Sequence, residues 1–536
     1  MAAASTSPGV STAAGRGPTS RRAWAALVVL VCGYLAIDMV AGASDSPLVP
    51  SLPAGVAPPA WLSSLARAVG LDRLSRTGLT IMAILVLAVL VAAFGMLMAE
   101  AWKGRVALAP VLWTVALALA LAVTAPLLLS RDLYSYAAYG RIYALHGSNP
   151  YVHPPSAFPS DPFVLVASPA WVHTRSVYGP VFTLISAAIA RTWQGSPQAT
   201  IVAFKVLAAV AIGAAAVLAG AAGRGLATER LGAAPGRDRS AFAAAAVGLN
   251  PALVVHTVGG GHNDALIAAF VAGALVLASR APSAPGDSPE PVRPDRLAVT
   301  GLLALAALVK FVVAPLLVLW ILWLARGTGR SRRARAAAWH ILLALVIAVA
   351  SFAWFVDGWH TLGSLAGAAS REGWASGPAL VARGVRALVR SVGGAGAARA
   401  AGTATTAGFL ALFGLVVITF LARARPARPT PQWGSTMLLL ALAGPYFLPW
   451  YVAWFAPLLA SMADDVLVLA GLGVSGVLAL IGVPAEAGSA PTVWRGMVLA
   501  VHYGAAPIML ALLGVVVVRS LRSPIGRRPR RRMARP

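Results

Sequence analysis

Long runs of apolar residues recur along the whole chain. A helix needs about 20 apolar residues to cross the hydrocarbon core of a bilayer. Only 11% of the residues are charged, against about 25% in soluble domains. We therefore predict an all-α polytopic membrane protein with about twelve to fourteen transmembrane segments. The runs that reach or approach the required length are 23–42, 79–100, 106–129, 178–193, 200–223, 241–258, 263–280, 297–325, 336–356, 403–422, 433–447, 449–462, 465–484 and 497–518.

The distribution of basic residues predicts how the chain crosses the membrane. Its formal net charge is +26, but the Arg and Lys residues cluster in short connections and tails, as in the cytoplasmic loops of membrane proteins. Arg21 and Arg22 precede the first run, and Lys103 and Arg105 follow the second. We therefore place the N-terminus in the cytoplasm and the segment 130–180, which follows the third run, outside.

This orientation divides the chain into a transmembrane domain and two tails. Residues 1–20 form a predicted disordered cytoplasmic tail, and residues 519–536 form a basic cytoplasmic tail. Residues 21–518 form the transmembrane domain of a multi-pass plasma-membrane protein that contacts membrane lipids and no nucleic acid. The basic residues after residue 223 indicate a cytoplasmic loop, which requires that one of the runs 178–193 and 200–223 not cross fully.

The segment 130–180 is a long polar interruption of this apolar chain. It contains nine aromatic residues and seven prolines. Long loops are usually functional or disordered, and so many aromatic residues argue against disorder. We interpret the segment as an active-site cap on the outer side of the membrane. Its Arg, His and Tyr side chains can bind phosphate or sugar hydroxyls, or they can pack the loop itself. The binding candidates are Arg131, Tyr136, Arg141, His173 and Tyr178.

Asp132 is the catalytic candidate of this segment, because it follows the apolar run 106–129 after only two residues. A carboxylate at that boundary can be partly desolvated and still reach a polar substrate. The same residue suits the N-cap of a helix, which we predict over residues 133–146 as amphipathic and lying at the interface. The two interpretations are compatible. Asp161, between two prolines, indicates a turn.

A second group of candidates, His262, Asn263 and Asp264, follows three glycines between two apolar runs. Glycine lets the backbone turn tightly or approach a ligand closely. Capping of the next helix accounts for Asp264, because the helix dipole favours an anion there, but it does not account for the other two residues. We favour hydrogen bonding to substrate over metal binding, since one His and one Asp are weak evidence for a metal.

Two further candidate groups lie in strongly apolar surroundings. Lys310 interrupts the run 297–325, which is either one broken helix or a hairpin of two short helices. An intramembrane Lys is costly and is a functional candidate, with a lipid-linked phosphate as its natural partner; snorkelling from a hairpin tip is the alternative. Trp450 and Tyr451 lie in an aromatic turn broken by prolines. They either anchor the protein at the membrane interface or stack on a sugar or prenyl chain.

Missing motifs disfavour several kinds of chemistry. Cys32, within the first apolar run, is the only cysteine, so an intramolecular disulfide and a multi-cysteine metal site are excluded. The sequence has no Walker loop, no usable G-x-G-x-x-G before a strand and no Ser-centred elbow. Nucleotide-driven chemistry is therefore disfavoured, and we expect neither a cofactor nor a metal.

Five motifs in one order carry a resemblance to a known family. They are SRDLYSYAAYGRIYALHGSNPY from residue 130, then VYGP, GGGHNDAL, LVKF-x3-P and LPWY-x-AWFAPL. Together they resemble the actinobacterial polyprenol-phosphomannose-dependent alpha-1,6-mannosyltransferases, which are membrane glycosyltransferases of the GT-C fold. The resemblance covers residues 106–462. It implies a GT-C-type bundle with a long extracytoplasmic loop carrying interfacial helices, a polyprenyl-phosphate-mannose donor, and a lipid-linked acceptor of the lipomannan type.

The resemblance also implies an extracytoplasmic active site with one Asp of the first long outer loop as the base. Asp132 matches that position; some members carry a second acid beside it, where this chain has Leu133. A single displacement converts a beta-linked donor into an alpha-mannoside. Two alternatives stay open: the same fold acting on another lipid-linked sugar, arabinose or glucose, and a membrane transporter of lipid or solute, for which paired broken helices are expected.

Overall fold

The computed structural model of the protein describes residues 19–229, 239–280, 293–325, 330–357, 373, 375–423, 430–462, 464–486 and 491–522. Helices and connecting turns make up these residues, and no β-strand is found among them. The prediction of an all-α fold is therefore confirmed for the described part of the chain. Most of the two predicted tails lies outside it.

The α-helices are numbered here in chain order. They are α1 (Arg21–Gly42), α2 (Ala60–Ala68), α3 (Arg76–Trp102), α4 (Leu108–Thr124), α5 (Asp132–Ala144), α6 (Pro169–Val172), α7 (Pro180–Thr192), α8 (Pro197–Glu229), α9 (Ser240–Gly248), α10 (Asp264–Arg280), α11 (Pro294–Val309), α12 (Ala314–Leu324), α13 (Arg330–Phe352), α14 (Gly377–Arg423, kinked at Gly394), α15 (Thr430–Ala443), α16 (Val452–Phe455), α17 (Asp465–Ala479), α18 (Pro491–Ala500) and α19 (Ala506–Arg522). A π-helical segment, Ala252–Val258, follows α9.

Seven of the described helical segments are long and apolar enough to cross a membrane, and the chain is a polytopic membrane protein, as predicted. Four further apolar helices have 10–17 residues. By this criterion the described residues hold fewer crossings than the expected twelve to fourteen, because several predicted spans, such as 106–129 and 449–462, form helices shorter than 18 residues. The seven are Arg21–Gly42, Arg76–Trp102, Pro197–Arg224, Ser240–Val258, Ala334–Phe355, Gly377–Phe420 and Pro491–Arg522.

Helix length bears on the run whose crossing was ambiguous. Helix α7 has 13 residues, which span about 20 Å at 1.5 Å per residue, short of the ~30 Å hydrocarbon core of a bilayer. Helix α8 has 33 residues. The lengths therefore favour α8 as the segment that crosses and α7 as the one that does not.

The segment Ser240–Val258 forms the centre of the bundle. It is buried along its whole candidate span and packs against α3, α4 and α8. A helix that is apolar all round is buried in protein or surrounded by lipid, and here the neighbouring helices provide the cover. Because this segment is central, the glycine turn that follows residue 258 also lies in the interior of the fold.

The helix predicted over residues 133–146 is present as α5, but it lacks the predicted amphipathic character. Residues 133–140 are all buried, so no face of this stretch is turned to water or to lipid headgroups. Helix α7 covers one side of α5, and the two backbones approach closely where a Cβ on Gly140 would lie 2.3 Å from the Ser186 carbonyl oxygen. The predicted amphipathic character is therefore wrong for residues 133–140, and the position of α5 at the membrane interface stays a prediction.

The long apolar run 297–325 is broken at Lys310. Helix α11 ends at Val309, Lys310 adopts an extended backbone, and a 3₁₀ turn, Phe311–Val313, leads into α12. The Gly179 N–H donates to the Val309 carbonyl at 3.0 Å. This bond ties the end of the 130–180 segment to the break, so the two parts of the chain are held together.

We predict that Gly179→Ala destabilises the protein. A Cβ at this position would lie 2.0 Å from the Leu308 carbonyl oxygen, and overpacking of this kind lowers the free energy of unfolding by about 1–3 kcal/mol. Thermal unfolding in detergent measures the effect. Gly195→Ala is the matched control, because a Cβ there meets nothing within 4 Å. Equal melting temperatures for the two variants would contradict the prediction.

Candidate active site

The turn before Asp132 holds its shape through backbone hydrogen bonds to two other parts of the chain. Leu129 has φ +62°, in the left-handed region that bulky residues rarely adopt. Its N–H donates to the Leu48 carbonyl at 2.8 Å, and the Leu128 N–H donates to the Gly259 carbonyl at 3.0 Å. The second bond joins this turn directly to the turn that carries His262.

Asp132 is the first residue of α5, with Arg131 at the N-cap position. The Ser130 hydroxyl accepts a hydrogen bond from the Asp132 N–H at 3.1 Å. The prediction that Asp132 itself caps the helix is therefore wrong by one residue. Its side chain is 15% exposed and lies in the first turn, where the helix dipole stabilises a carboxylate.

The glycines of the second motif allow a tight turn that packs closely against the start of α5. Gly261 has φ +63°, which favours glycine, and a Cβ there would lie 2.4 Å from the Leu133 side chain. A Cβ on Gly260 would lie 2.4 Å from the His256 carbonyl oxygen. A larger residue at 261 would push the His262 turn away from the start of α5, and one at 260 would distort the turn itself.

Five of the predicted site residues form one cluster. The Nδ1 atom of His262 lies 3.0 Å from the Tyr136 hydroxyl and 3.9 Å from Oδ2 of Asp132. The imidazole stacks on Trp450, with ring centroids 3.6 Å apart. The Tyr178 ring packs edge-on against Tyr136 at 5.0 Å. The catalytic candidate and four binding candidates thus share one small, mostly buried volume.

The electrostatic environment sets the protonation of two of these groups. Burial lowers the pKa of His262 well below its usual value, and the nearby Lys310 and His256 side chains act in the same direction. The imidazole is therefore neutral at pH 7. Burial also raises the pKa of the Tyr136 hydroxyl, so this hydroxyl keeps its proton. Asp132 consequently faces a neutral imidazole rather than an imidazolium.

The cation of the site is Lys310. Its Nζ atom lies 3.0 and 3.2 Å from the carboxylate oxygens of the fully buried Asp264. Trp454 donates to the same carboxylate at 2.6 Å. The ammonium also lies 4.6 Å from the ring centroid of Tyr451, a distance at which an aromatic face attracts a cation. Lys310 is thus held by a carboxylate and aromatic rings, with 17% of its side chain exposed.

Several buried polar atoms at this site make no hydrogen bond within the described residues. They are Nε2 of His262 and both terminal atoms of the Asn263 side chain. Buried polar groups in proteins are nearly always hydrogen-bonded, and leaving one unpaired costs about 1–3 kcal/mol. These atoms therefore provide donors and an acceptor that a bound polar ligand can satisfy.

The side chain of Arg131 forms an ion pair with a carboxylate from a distant part of the chain. It pairs with Glu486 at 2.5 Å, and the Ser51 N–H donates to the same carboxylate at 2.6 Å. Burial opposes the charged form of Glu486, but the bonds from Ser51 and Arg131 outweigh it and lower its pKa below the usual value. Arg131 therefore already has an anionic partner beside the site.

The remaining loop candidates lie apart from this cluster or on its surface. Arg141 pairs with Asp161 at 2.6 Å, and His146 lies 3.2 Å from the same carboxylate. Asp161 also accepts from the Phe163 N–H, as its predicted turn requires. His173 is exposed. The contacts of Arg141 are those of a residue that packs the loop, and its role in binding stays a prediction.

The described residues contain no group of three or more His, Cys, Asp or Glu side chains that could hold a metal ion. The expectation of a metal-free site stays a prediction.

Sequence reasoning missed two residues of the site. Trp454 lies in the same aromatic turn as Trp450 and Tyr451, but only the fold shows that its indole reaches Asp264. Glu486 is separated from Arg131 by 355 positions, and no spacing or motif connects them. Its only signal is that it is one of few acids in a strongly basic chain.

These observations define a polytopic membrane protein in which a carboxylate, a neutral histidine and a lysine meet at the ends of membrane helices. The family described as alpha-(1->6)-mannopyranosyltransferase, N-terminal domain, matches residues 23–327, which is more than half of the chain. The chain belongs to this family. The match begins within the first membrane helix, so it includes helices α1 to α4, which precede the loop motifs.

Similar proteins carry the same description. The chain is 28% identical to alpha-(1->6)-mannopyranosyltransferase A of Mycobacterium tuberculosis over 359 residues, covering 63% of this chain and 64% of the relative. It is also 28% identical to alpha-(1->6)-mannopyranosyltransferase A of Corynebacterium glutamicum over 151 residues, or 28% of each protein. The chain therefore matches less than two thirds of the length of either relative. No solved structure matches it.

We predict that His262 makes the stability of the protein depend on pH. Its pKa is lower in the folded protein than in the unfolded chain, where it is about 6.5. The unfolded chain therefore binds more protons at acidic pH, and the contribution of His262 to stability is complete above pH ~6.5 and is lost below it. As the pH falls, His262 lowers the free energy of unfolding by up to about 1.4 kcal/mol per pH unit.

Melting temperatures at pH 7.5 and 5.5 measure this effect. The difference between the two temperatures should be smaller in His262→Gln than in the wild type. His173→Gln, which changes an exposed histidine, should leave the wild-type difference unchanged. The same pH dependence in all three proteins would refute the assignment.

Proposed function

We propose that this protein transfers mannose from a polyprenyl-phosphate-mannose donor to a lipid-linked mannan-type acceptor, with an alpha-1,6 linkage. The reaction is placed on the outer face of the plasma membrane by the predicted orientation. The observation that carries the proposal is the meeting of Asp132, His262 and the Lys310–Asp264 pair in a member of this family. The names of the two relatives support the sugar and the linkage.

Asp132 acts as the general base in this proposal. A sugar hydroxyl is a poor nucleophile, and a positioned base contributes about 10²–10⁴-fold to the rate of such a step. Asp132 takes the proton of the acceptor hydroxyl as the acceptor oxygen bonds to the anomeric carbon of mannose. The bond from that carbon to the donor phosphate oxygen breaks at the same time, and the phosphate leaves with the electron pair. One displacement inverts the anomeric configuration.

The leaving group explains why one carboxylate suffices. Glycoside hydrolysis uses two carboxyl groups because its alcohol leaving group must be protonated. A prenyl phosphate leaves as a stabilised anion, so it needs positive charge and hydrogen-bond donors rather than an acid. Lys310 supplies the charge, and the Asn263 amide and the His262 ring supply polar atoms that have no protein partner in the described part of the chain.

In this proposal the neutral His262 lies beside Asp132 without adding a positive charge to it. A protonated imidazole would stabilise the carboxylate of Asp132 and weaken it as a base. The hydrogen bond to Tyr136 and the stack on Trp450 hold the ring in place. Trp450 and Tyr451 remain proposed surfaces for the sugar or the prenyl chain, and both are largely buried.

We predict that Asp132→Asn lowers transfer by about 10²–10⁴-fold without reducing the amount of folded protein. The assay uses membranes containing the protein, labelled polyprenyl-phosphate-mannose and an oligomannoside acceptor. Asp45→Asn is the matched control, because Asp45 is an exposed acid that pairs with Arg76. Equal turnover in Asp132→Asn and the wild type would end the catalytic assignment.

The same assay separates the alternative functions. Parallel reactions with polyprenyl-phosphate-linked arabinose and glucose test the sugar. Turnover with one of these donors and none with mannose would assign the protein to a different transferase. Uptake that depends on a proton gradient, with no glycosyl product from any donor, would identify a transporter.

We predict that Lys310→Met both destabilises the protein and abolishes transfer, and that the two effects can be separated. Breaking a buried ion pair by removing one partner costs about 3–5 kcal/mol, because the other charge stays buried, and Asp264 is fully buried. The double variant Lys310→Met/Asp264→Asn should recover melting temperature but not transfer, since the cation for the leaving phosphate is still missing. Recovery of both by the double variant would show that Lys310 serves the fold alone.

A further inference from the structure

A second lysine lies inside the membrane domain and takes no part in the proposed chemistry. Lys205 belongs to α8, in the candidate span Pro197–Arg224, and is 1% exposed. An ionisable residue inside a membrane helix is expensive, faces the interior of the bundle and marks function by default. Its surroundings therefore require an explanation.

The ammonium group of Lys205 binds the end of α4. It donates to the Ala125 carbonyl and, at 2.9 Å, to the Pro126 carbonyl. The last carbonyls of a helix have no partner within the helix, and Pro126 has no N–H with which to continue it. Lys205 thus stabilises the point at which α4 ends and the turn toward Asp132 begins.

The stem of the same side chain packs against the second turn of the site. Its Cγ atom lies 3.6 Å from the position that a Cβ on Gly261 would occupy, one residue before His262. The two turns are also joined by the bond from the Leu128 N–H to the Gly259 carbonyl. One buried side chain therefore bonds to the turn that leads to Asp132 and lies beside the turn that leads to His262.

Lys205 also has an acidic neighbour in the first membrane helix. Asp38 of α1 is 3% exposed and lies within electrostatic range of Lys205. Its Oδ2 atom has no hydrogen-bond partner in the described part of the chain. Asp38 can balance the charge of Lys205, but the carbonyls of Ala125 and Pro126 receive its hydrogen bonds.

We infer that Lys205 is a positioning residue that sets the separation of Asp132 and His262 by clamping the turn after α4 against the glycine turn. The inference rests on the proposed role of Asp132 as base. Displacement of a reacting group by about 1 Å can cost on the order of 10²-fold in rate. Loss of the clamp therefore affects turnover, while the groups that hold the donor stay in place.

The test compares Lys205→Met with the wild type in nanodiscs. We expect a kcat reduced by about 10²-fold and a KM for the donor unchanged within twofold. We also expect faster amide hydrogen exchange in residues 127–132. Lys205→Arg, which keeps the charge and the donors, should recover part of the lost kcat. A wild-type kcat in Lys205→Met would overturn the inference, and so would an equal loss through KM alone.

Variants of Asp38 separate positioning from charge balance. Asp38→Asn leaves the donors of Lys205 in place and should keep near-wild-type kcat. The double variant Asp38→Asn/Lys205→Met has no buried charge but still lacks the clamp, so its kcat should stay low. Recovery of kcat in the double variant would show that Lys205 only neutralises Asp38.

Failure of the proposed function gives a different pattern. Absence of mannosyl transfer in the wild type would refute the function without deciding the role of Lys205. In that case the amide exchange of residues 127–132 decides it: faster exchange in Lys205→Met supports the clamp, and unchanged exchange overturns it.

Discussion

The site depends on one backbone contact, the hydrogen bond from the Leu128 N–H to the Gly259 carbonyl. It joins two turns that are far apart in the sequence and belong to the ends of different membrane helices. Asp132 follows the first turn and His262 follows the second, so this contact brings the carboxylate within 3.9 Å of the imidazole. Glycine at 259 and 261 is what allows the approach, because a Cβ there would lie 2.7 Å from the Leu128 side chain and 2.4 Å from the Leu133 side chain.

Burial strengthens the electrostatic interactions among the few polar groups of the site. Charge interactions are far stronger in a medium of low dielectric constant than in water, and each partner left unpaired there is correspondingly costly. The pairing of Lys310 with Asp264 meets this requirement in the absence of substrate. In the proposed reaction, the phosphate of the donor competes with Asp264 for the same cation, so the ion pair also limits how tightly the product phosphate is held.

Residue types and order predicted the parts of the fold that follow local rules. Apolar runs located the membrane helices, and the cost of an intramembrane charge identified Lys310, whose backbone does break the helix. The amphipathic interpretation of α5 was wrong because its cover comes from other helices, which no local pattern reveals. Glu486 and Trp454 were missed for the same reason. Lys205 met the criterion applied to Lys310 and was overlooked within its long apolar run.

The burial of α5 on all sides divides the loop segment into two kinds of surface. Substitutions between residues 133 and 140 disturb a helix packed on every face, so the part that carries Asp132 is under strong structural constraint. His173 and Arg175 are exposed farther along the same segment and can change at little cost to folding. Under the proposed function, the exposed part of the segment can change to suit a different acceptor without disturbing the buried part that carries Asp132.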